Sequence, residues 1–470
     1  MRHRLINLAW IFYEKAALLI LSIASFIVYA LLLGPELFGL GVLAITLIEA
    51  VGVIFCSVLE DPMVRRRVRS KRLYASVFWY GGAGALLAAI LLPLACLLFD
   101  ASPLFVALVA VSSLKLVMTV QSRPFVAELR RQRNFKALAN RTLAGKIVGA
   151  TAGILAALSG LGAWAVVIQA LLMECCALAM LLYWQRGLIT ARLKFRYFLQ
   201  LVQSGLPLGV KMFSRGMLVR AVTLVLGSVS DATTVGYFSF ANRLVDLPRL
   251  ALSDGLLSYA LPAIAKRAKA GPEVGRFICA ISLSTATLMV PMFLGAMMLG
   301  GDLIHLFFDA RWQPASGAFT WLCLLAAFRC LVMYVPATLV AMGKARWGME
   351  IDLILLLLAL ALVWLFGSHW GVMAAVAAVG VQLSGDLVIK TIQLNKLFRL
   401  QWPVLLWDYA QIGIACVLMI GAIAWVQADQ QTHLAGLFVS VVLGITVYLT
   451  SLSALKPGWV RGIMNSLRQG

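Results

Sequence analysis

"GVKMFSRGMLVRAVTLVLG", residues 209–227, has the length and the aliphatic tail of a helix that crosses a bilayer, yet it carries Lys211, Arg215 and Arg220. Whether those cations belong to a membrane or to water decides the fold. The composition answers first: 62% of the 470 residues are hydrophobic and 13% charged, where soluble domains are about half apolar and about a quarter charged. Apolar stretches of about 20 residues, enough to cross about 30 Å of hydrocarbon as helix, start near residues 9, 36, 73, 102, 138, 161, 204, 232, 274, 314, 346, 370, 404 and 432. A β-barrel would alternate in ten-residue segments instead, and no such alternation is visible. The expected fold is an all-α integral membrane protein of about 14 transmembrane helices. The first 34 residues place basic residues before an apolar run with no small-residue cleavage site, and they read as a first span rather than a signal peptide.

The breaks between spans alternate in chemistry. "RRRVRSKR", "ELRRQRNFK", "RGLITARLKFR", "AKRAKAGPEVGR", "GKAR", "NKLFR" and the tail all carry Lys or Arg. "GPEL", "DASP", "LSGLG", "SVSDA", "GSHW" and "VQADQQTH" carry none, and "GGDLIHLFFDARWQPASG" carries only Arg311. About 28 of the 40 lysines and arginines fall on the first side, which puts that side and both termini in the cytoplasm. This also accounts for most of the net charge of +21: juxtamembrane basic runs set topology and attract anionic lipid. A nucleic-acid partner would call for a solvated basic stripe, and none is expected. The eight cysteines, Cys175 and Cys176 included, lie in apolar runs with no CxxC or Cys/His cluster, so no metal or other cofactor is expected. There is no Walker loop, HExxH or GxSxG. The chain therefore reads as a non-enzyme, and uphill transport would draw on a gradient rather than on ATP.

Two segments repeat a pattern of an LG turn, a following Gly, a span and a basic loop: "LLLGPELFGLGVLAITLIEAVGVIFCSVLEDPMVRRRVR" and "TLVLGSVSDATTVGYFSFANRLVDLPRLALSDGLLSYALPAIAKRAK". Internal symmetry of this kind marks transporters that rock one half against the other around a midplane site. The expected division is a six-helix lobe over 1–203, a second over 204–400, and a terminal helix pair with a basic tail over 401–470.

The charges inside the spans carry the functional argument. Counted from an inner end near residue 204, Lys211, Arg215 and Arg220 lie about 10, 16 and 24 Å deep. Three cations facing lipid would cost about 8–10 kcal/mol, against a total stability of about 5–15 kcal/mol, so at least Arg215 must meet a hydrated cavity or an acid. On a straight helix Arg220 points about 140° away from Arg215, and one cavity holds all three only if Gly216 loosens the helix. Arg243 in the next span is level with Arg215, with Asp246 one turn on. A neutralised Arg243–Asp246 pair and a ligand-facing Arg243 both fit the spacing. Arg249 can snorkel to the inner end. Arg329, Lys115, Lys146, Glu49 and Glu174 are also deep, while Arg141, Glu350, Asp352, Asp386 and Lys390 read as solvated anchors near inner helix ends. The expected substrate-binding set is Lys211, Arg215, Arg220, Arg243, Arg329 and Lys146, and the expected ion-coupling set is Glu49, Glu174 and Asp246. Their net positive sign favours an anionic passenger, whose phosphate or carboxylate oxygens suit Arg forks.

"LLLGPELFGLGVLA", "VGYFSFANRLVDLP", "LFFDARWQPASGAFTWLCLLA" and "LVAMGKARWGMEIDLILLLL", in this order over nearly the whole chain, resemble the Wzx-type flippases, the polysaccharide-transporter branch of the multidrug/oligosaccharidyl-lipid/polysaccharide (MOP) exporter superfamily. The resemblance implies two six-helix lobes around a central cationic cavity, with helices thirteen and fourteen alongside. It also implies translocation of a polyprenyl-diphosphate-linked oligosaccharide across a bacterial plasma membrane, for exopolysaccharide, capsule or lipopolysaccharide synthesis. The implied partners are the lipid-linked oligosaccharide, membrane lipids and a polymerase of the same pathway, and the implied state is a monomer. A lipid II flippase is the alternative, since it too uses cavity arginines. A drug/cation antiporter of the same superfamily would need acids to dominate its cavity, and here cations do. A membrane glycosyltransferase or polymerase would need a large folded outer loop, which this chain lacks.

Overall fold

In hydrocarbon a backbone N–H or C=O finds a partner only in its own chain, so an apolar span closes its hydrogen bonds as helix. The computed structural model describes residues 2–65, 70–189, 193–267, 272–342, 346–398, 402–429 and 434–456; within them only the backbone is described for 2–16, 207–216, most of 251–276 and 346–349, and a few further positions. The helices are α1 (Arg2–Leu32), α2 (Pro35–Arg65), α3 (Lys71–Ser76), α4 (Gly82–Leu98), α5 (Pro103–Arg131), α6 (Phe135–Leu158), α7 (Trp164–Trp184), α8 (Phe195–Gly216), α9 (Leu218–Val229), α10 (Ala232–Arg267), α11 (Pro272–Phe307), α12 (Ala315–Arg329), α13 (Val335–Ala341), α14 (Arg346–Trp370), α15 (Val372–Phe398), α16 (Trp402–Asp429) and α17 (Leu434–Leu455). One π turn, Val77–Gly81, joins α3 to α4.

Among the described residues ten spans are long and apolar enough to cross a membrane, and the chain is a multi-pass α-helical membrane protein. Its outer faces agree: Phe99 is 86% and Trp425 76% exposed, a liability in water that acyl chains remove. Most expected span starts fall within a few residues of a helix start. The exceptions are α1, which begins at Arg2, and α8, which begins at Phe195. There the helix runs through basic and aromatic interfacial residues, "RHRLINLAW" and "FRYFLQLVQ", that hydropathy does not register.

Helix ends follow local chemistry. Ser102 accepts from the Phe105 N–H at 3.3 Å with Pro103 just after it, and Asn134 accepts from the Ala137 N–H at 3.1 Å; both are N-caps that satisfy an orphan donor. Gly160 and Gly162, with φ of 75° and 58°, turn α6 into α7.

The chain forms two compact units, Met1–Ser239 with Leu360–Ala375, and Phe240–Ala359 with Val376–Gly470. The expected divisions after 203 and 400 came from counting spans; the compact units instead part at Ser239, because α8 and α9 lie along α2. In the first unit Ile48, Leu59, Val120, Phe125 and Leu201 share a core, with Phe78 edge-on to Phe125 at 6.0 Å. In the second, α16 and α17 pack on α11 around Met419, Ile423 and Leu452. The Tyr448 hydroxyl there donates to the Thr287 carbonyl at 2.7 Å.

α6 meets α7 through glycines. A Cβ on Gly149 would stand 2.5 Å from the Gln169 carbonyl oxygen and 2.8 Å from the Met173 Cβ, so only hydrogen allows this approach, as in small-residue interfaces between membrane helices. Gly149→Leu should therefore destabilise the protein by about 1–3 kcal/mol. A lower thermal unfolding midpoint in detergent is the expected result, while Thr151→Leu, on the exposed side of the same helix, should leave the midpoint unchanged.

Candidate functional site

Each unit gathers its own charges. In the first, Glu49 lies about 21 Å along α2 from Pro35, and Lys115 about 18 Å along α5 from Pro103, both near the middle of a bilayer. The Lys115 ammonium donates to Glu49 Oε1 at 2.8 Å. The Arg220 guanidinium reaches the other oxygen, with Nη2 at 3.3 Å and Nε at 3.4 Å. One carboxylate is thus shared by two cations from two other helices. The Lys115 side chain is 9% accessible, whereas Glu49 and Arg220 each keep 37%. Charged surface that open, at this depth, must face water, since facing acyl chains would cost about 3 kcal/mol per group.

The helix break explains how Arg220 arrives. α8 ends at Gly216 and α9 starts at Leu218, with Met217 at φ −96° and ψ −17°. The helix is thus interrupted for one residue just after Gly216, the position whose loosening was the condition for gathering the three cations, and α9 packs on α2, which carries Glu49. The backbone of Lys211 and Arg215 belongs to α8, but their side chains lie outside the described residues.

Toward the C-terminal end of α2 in the same unit, Glu60 holds two arginines of α5: Arg123 Nη1 at 2.9 Å and Arg130 Nη1 at 2.7 Å. Glu174 on α7 is 8% exposed and accepts from the Thr119 hydroxyl at 2.8 Å. Lys146 is half-buried on α6. Arg141, expected as a solvated anchor, is different: its Nε and Nη1 are enclosed, because α6 faces inward where glycines draw it against α7.

In the second unit Asp246 Oδ1 accepts from Arg249, with Nη2 at 2.6 Å and Nε at 2.8 Å, and Oδ2 accepts from Asn242 at 3.0 Å. Arg249, expected to snorkel, is therefore held back by a carboxylate one turn away. Arg243 is half-buried on the same helix. Arg329, at the end of α12, is exposed and lies in the field of Arg249, Asp246 and Asp386. Asp352 and Lys390, expected to be solvated, are 7% and 8% exposed. Lys390 Nζ sits 2.5 Å from Asp386 and 3.6 Å from Asp352, so one ammonium bridges the two carboxylates.

Of the residues singled out from the sequence, the fold brings Arg220 to Glu49. Glu174 and Lys146 stay apart from the Glu49 group, on α7 and α6. Glu60, Arg123 and Arg130 escaped the sequence reading. Glu60 stands beside a basic loop and resembles a loop acid; the available signal was the seven-residue spacing of Arg123 and Arg130, which returns both to one face of α5.

Residues 28–317 match the family described as "Polysaccharide biosynthesis protein". The succinoglycan biosynthesis transport protein ExoT of Rhizobium meliloti (strain 1021) is 24% identical over 323 residues, 66% of this chain. The match spans 63% of that relative's length. Among solved structures, the lipid II flippase MurJ in an inward closed conformation aligns with a TM-score of 0.79 over 97% of this chain and 100% of its own, at 14% identity. An inward-facing multidrug resistance MATE family transporter of the MOP superfamily aligns with a TM-score of 0.58 over 82% of this chain and 96% of its own, at 15% identity. The fold is that of MOP-superfamily transporters.

Glu49→Gln would leave Lys115 and Arg220 facing each other without their acid. A loss of about 1–3 kcal/mol is expected, below that of a fully buried pair because Glu49 is partly solvated. A thermal unfolding midpoint equal to the parent's would show that the carboxylate is not what holds α2, α5 and α9 together; adding Lys115→Met to Glu49→Gln should recover part of the loss.

Proposed function

The chain belongs to the polysaccharide biosynthesis protein family, and on that premise we propose that it is a Wzx-type flippase, carrying a polyprenyl-diphosphate-linked oligosaccharide across a bacterial plasma membrane by alternating access. The observation that carries this reading is the Glu49–Lys115–Arg220 group: two cations on one carboxylate, at mid-span depth, with the Glu49 and Arg220 side chains each 37% accessible. A cation beside water in a low-dielectric slab attracts an oxyanion far more strongly than it would in bulk, and a guanidinium fork suits diphosphate oxygens. Lys211, Arg215, Arg243, Arg329 and Lys146 complete the proposed binding set. The proposed architecture is fourteen crossings, two six-helix lobes with a terminal pair, and both termini in the cytoplasm. A polymerase of the same pathway is the proposed protein partner, and the proposed state is a monomer.

Two passengers share this chemistry. The whole-chain alignment with MurJ supports lipid II more fully than a polysaccharide repeat unit, since it includes the terminal helix pair. The family description and the ExoT match support the repeat unit over part of the chain. Depletion in cells separates them: lysis with accumulated lipid II identifies the first, and loss of extracellular polymer with an accumulated lipid-linked repeat unit identifies the second.

Coupling to a proton or sodium gradient through Glu49, Glu174 or Asp246 is part of the proposal. Flipping in vesicles that ignores an imposed gradient of either ion removes that part alone.

Arg220→Gln tests the central claim, because it leaves the Glu49–Lys115 pair neutral and intact. Translocation of lipid-linked sugar in reconstituted vesicles should fall at least about tenfold, the equivalent of about 1.4 kcal/mol, with Arg220→Lys intermediate. Unchanged flipping by folded Arg220→Gln protein would rule out this group as the passenger's site.

A further inference from the structure

The two repeated segments meet each other at the glycine they share. Pro35 opens α2 and Ala232 opens α10, and four residues on from each stands a buried glycine, Gly39 and Gly236. A Cβ on Gly39 would lie 1.9 Å from the Ala232 carbonyl oxygen and 2.8 Å from the Gly236 nitrogen. A Cβ on Gly236 would lie 2.0 Å from the Pro35 carbonyl oxygen. Each helix thus sets its glycine on the first carbonyl of the other. A contact in which equivalent positions exchange the same partners is isologous, so it lies on the local two-fold axis relating the two helix starts. Halves that rock about such an axis meet or part there.

The crossing stands at the ends of the spans that follow "GPEL" and "SVSDA", the breaks without Lys or Arg. Glu49 is about 15 Å further along α2 from Gly39, and its side chain keeps 37% accessibility there. Between the two levels α9 also closes on α2, where a Cβ on Gly227 would lie 2.6 Å from Leu43 Cδ1. At the crossing itself backbone meets backbone. Neither glycine offers a side chain to interlock, and the weak Cα–H···O contacts that such an approach leaves are made and broken without stranding a polar group.

We propose that the Gly39–Gly236 crossing is a separable seal, closing the passage above the Glu49 group, and that the missing Cβ on both glycines is what lets it close. This rests on the alternating-access reading. It adds that the starts of α2 and α10 part in each cycle, and that one methyl group at either glycine holds them apart.

The test places spin labels at Glu36→Cys and Asp231→Cys, exposed positions beside the crossing, in the full chain with its eight native cysteines replaced by alanine and held in lipid nanodiscs. Gly236→Ala should lengthen the label separation by about 5 Å or more in a distinct population, the scale of a switching step between packed helices. Gly39→Ala should do the same, and serves alone if Gly236→Ala does not fold. A uniform lengthening of only about 1–2 Å, which is local accommodation of a methyl group, overturns the seal. A second measurement leaves both glycines in place: a cleavable bismaleimide tether across the two cysteines should slow translocation of a polyprenyl-diphosphate-linked disaccharide in vesicles at least about tenfold, with recovery once the tether is cut. Undiminished translocation by the tethered protein also overturns the seal. Translocation by the untethered parent tests the transport reading separately, and its absence counts against that reading while the label separation still decides the seal.

Discussion

A charge placed in the apolar slab must find an opposite charge, water or a ligand, because hydrocarbon offers nothing in exchange for its hydration shell. That constraint organises this molecule. Glu49 is reached by Lys115 and Arg220 from two other helices, Glu60 by two arginines of α5, Asp246 by Arg249, and Lys390 by Asp386 and Asp352. Each group ties together turns or helices that apolar contact alone would hold without register, since lipid tails solvate leucine as well as a neighbouring helix does. The ion pairs and the glycine-mediated approaches therefore share the task of specifying which helix meets which.

The distribution of sign has functional weight. In the first unit the described cations Lys115, Arg123, Arg130, Arg141, Lys146 and Arg220 outnumber Glu49, Glu60, Glu128 and Glu174. In the second, Arg243, Arg249, Arg329 and Lys390 stand nearly in balance with Asp246, Asp352 and Asp386. An unbalanced positive interior is costly to hold and draws anions, whereas a balanced one is self-contained and serves structure.

The break between α8 and α9 connects backbone to charge. α8 and α9 both follow α2, and α9 brings the Arg220 guanidinium to Glu49.

The membrane class, the helix order and most span positions were legible in the sequence, because apolar length is a local property read by the bilayer itself. That deep cations required compensation was legible too, from the energy of burying them. The identity of each compensating partner was not. Lys115 and Glu49 are separated by 66 residues and Arg220 and Glu49 by 171, and Asp352 and Lys390 look like solvated helix ends until α14 and α15 bury them. The compact units part at Ser239 rather than where the span count divides. Pairing is a matter of which faces meet, and faces meet only once helices have packed.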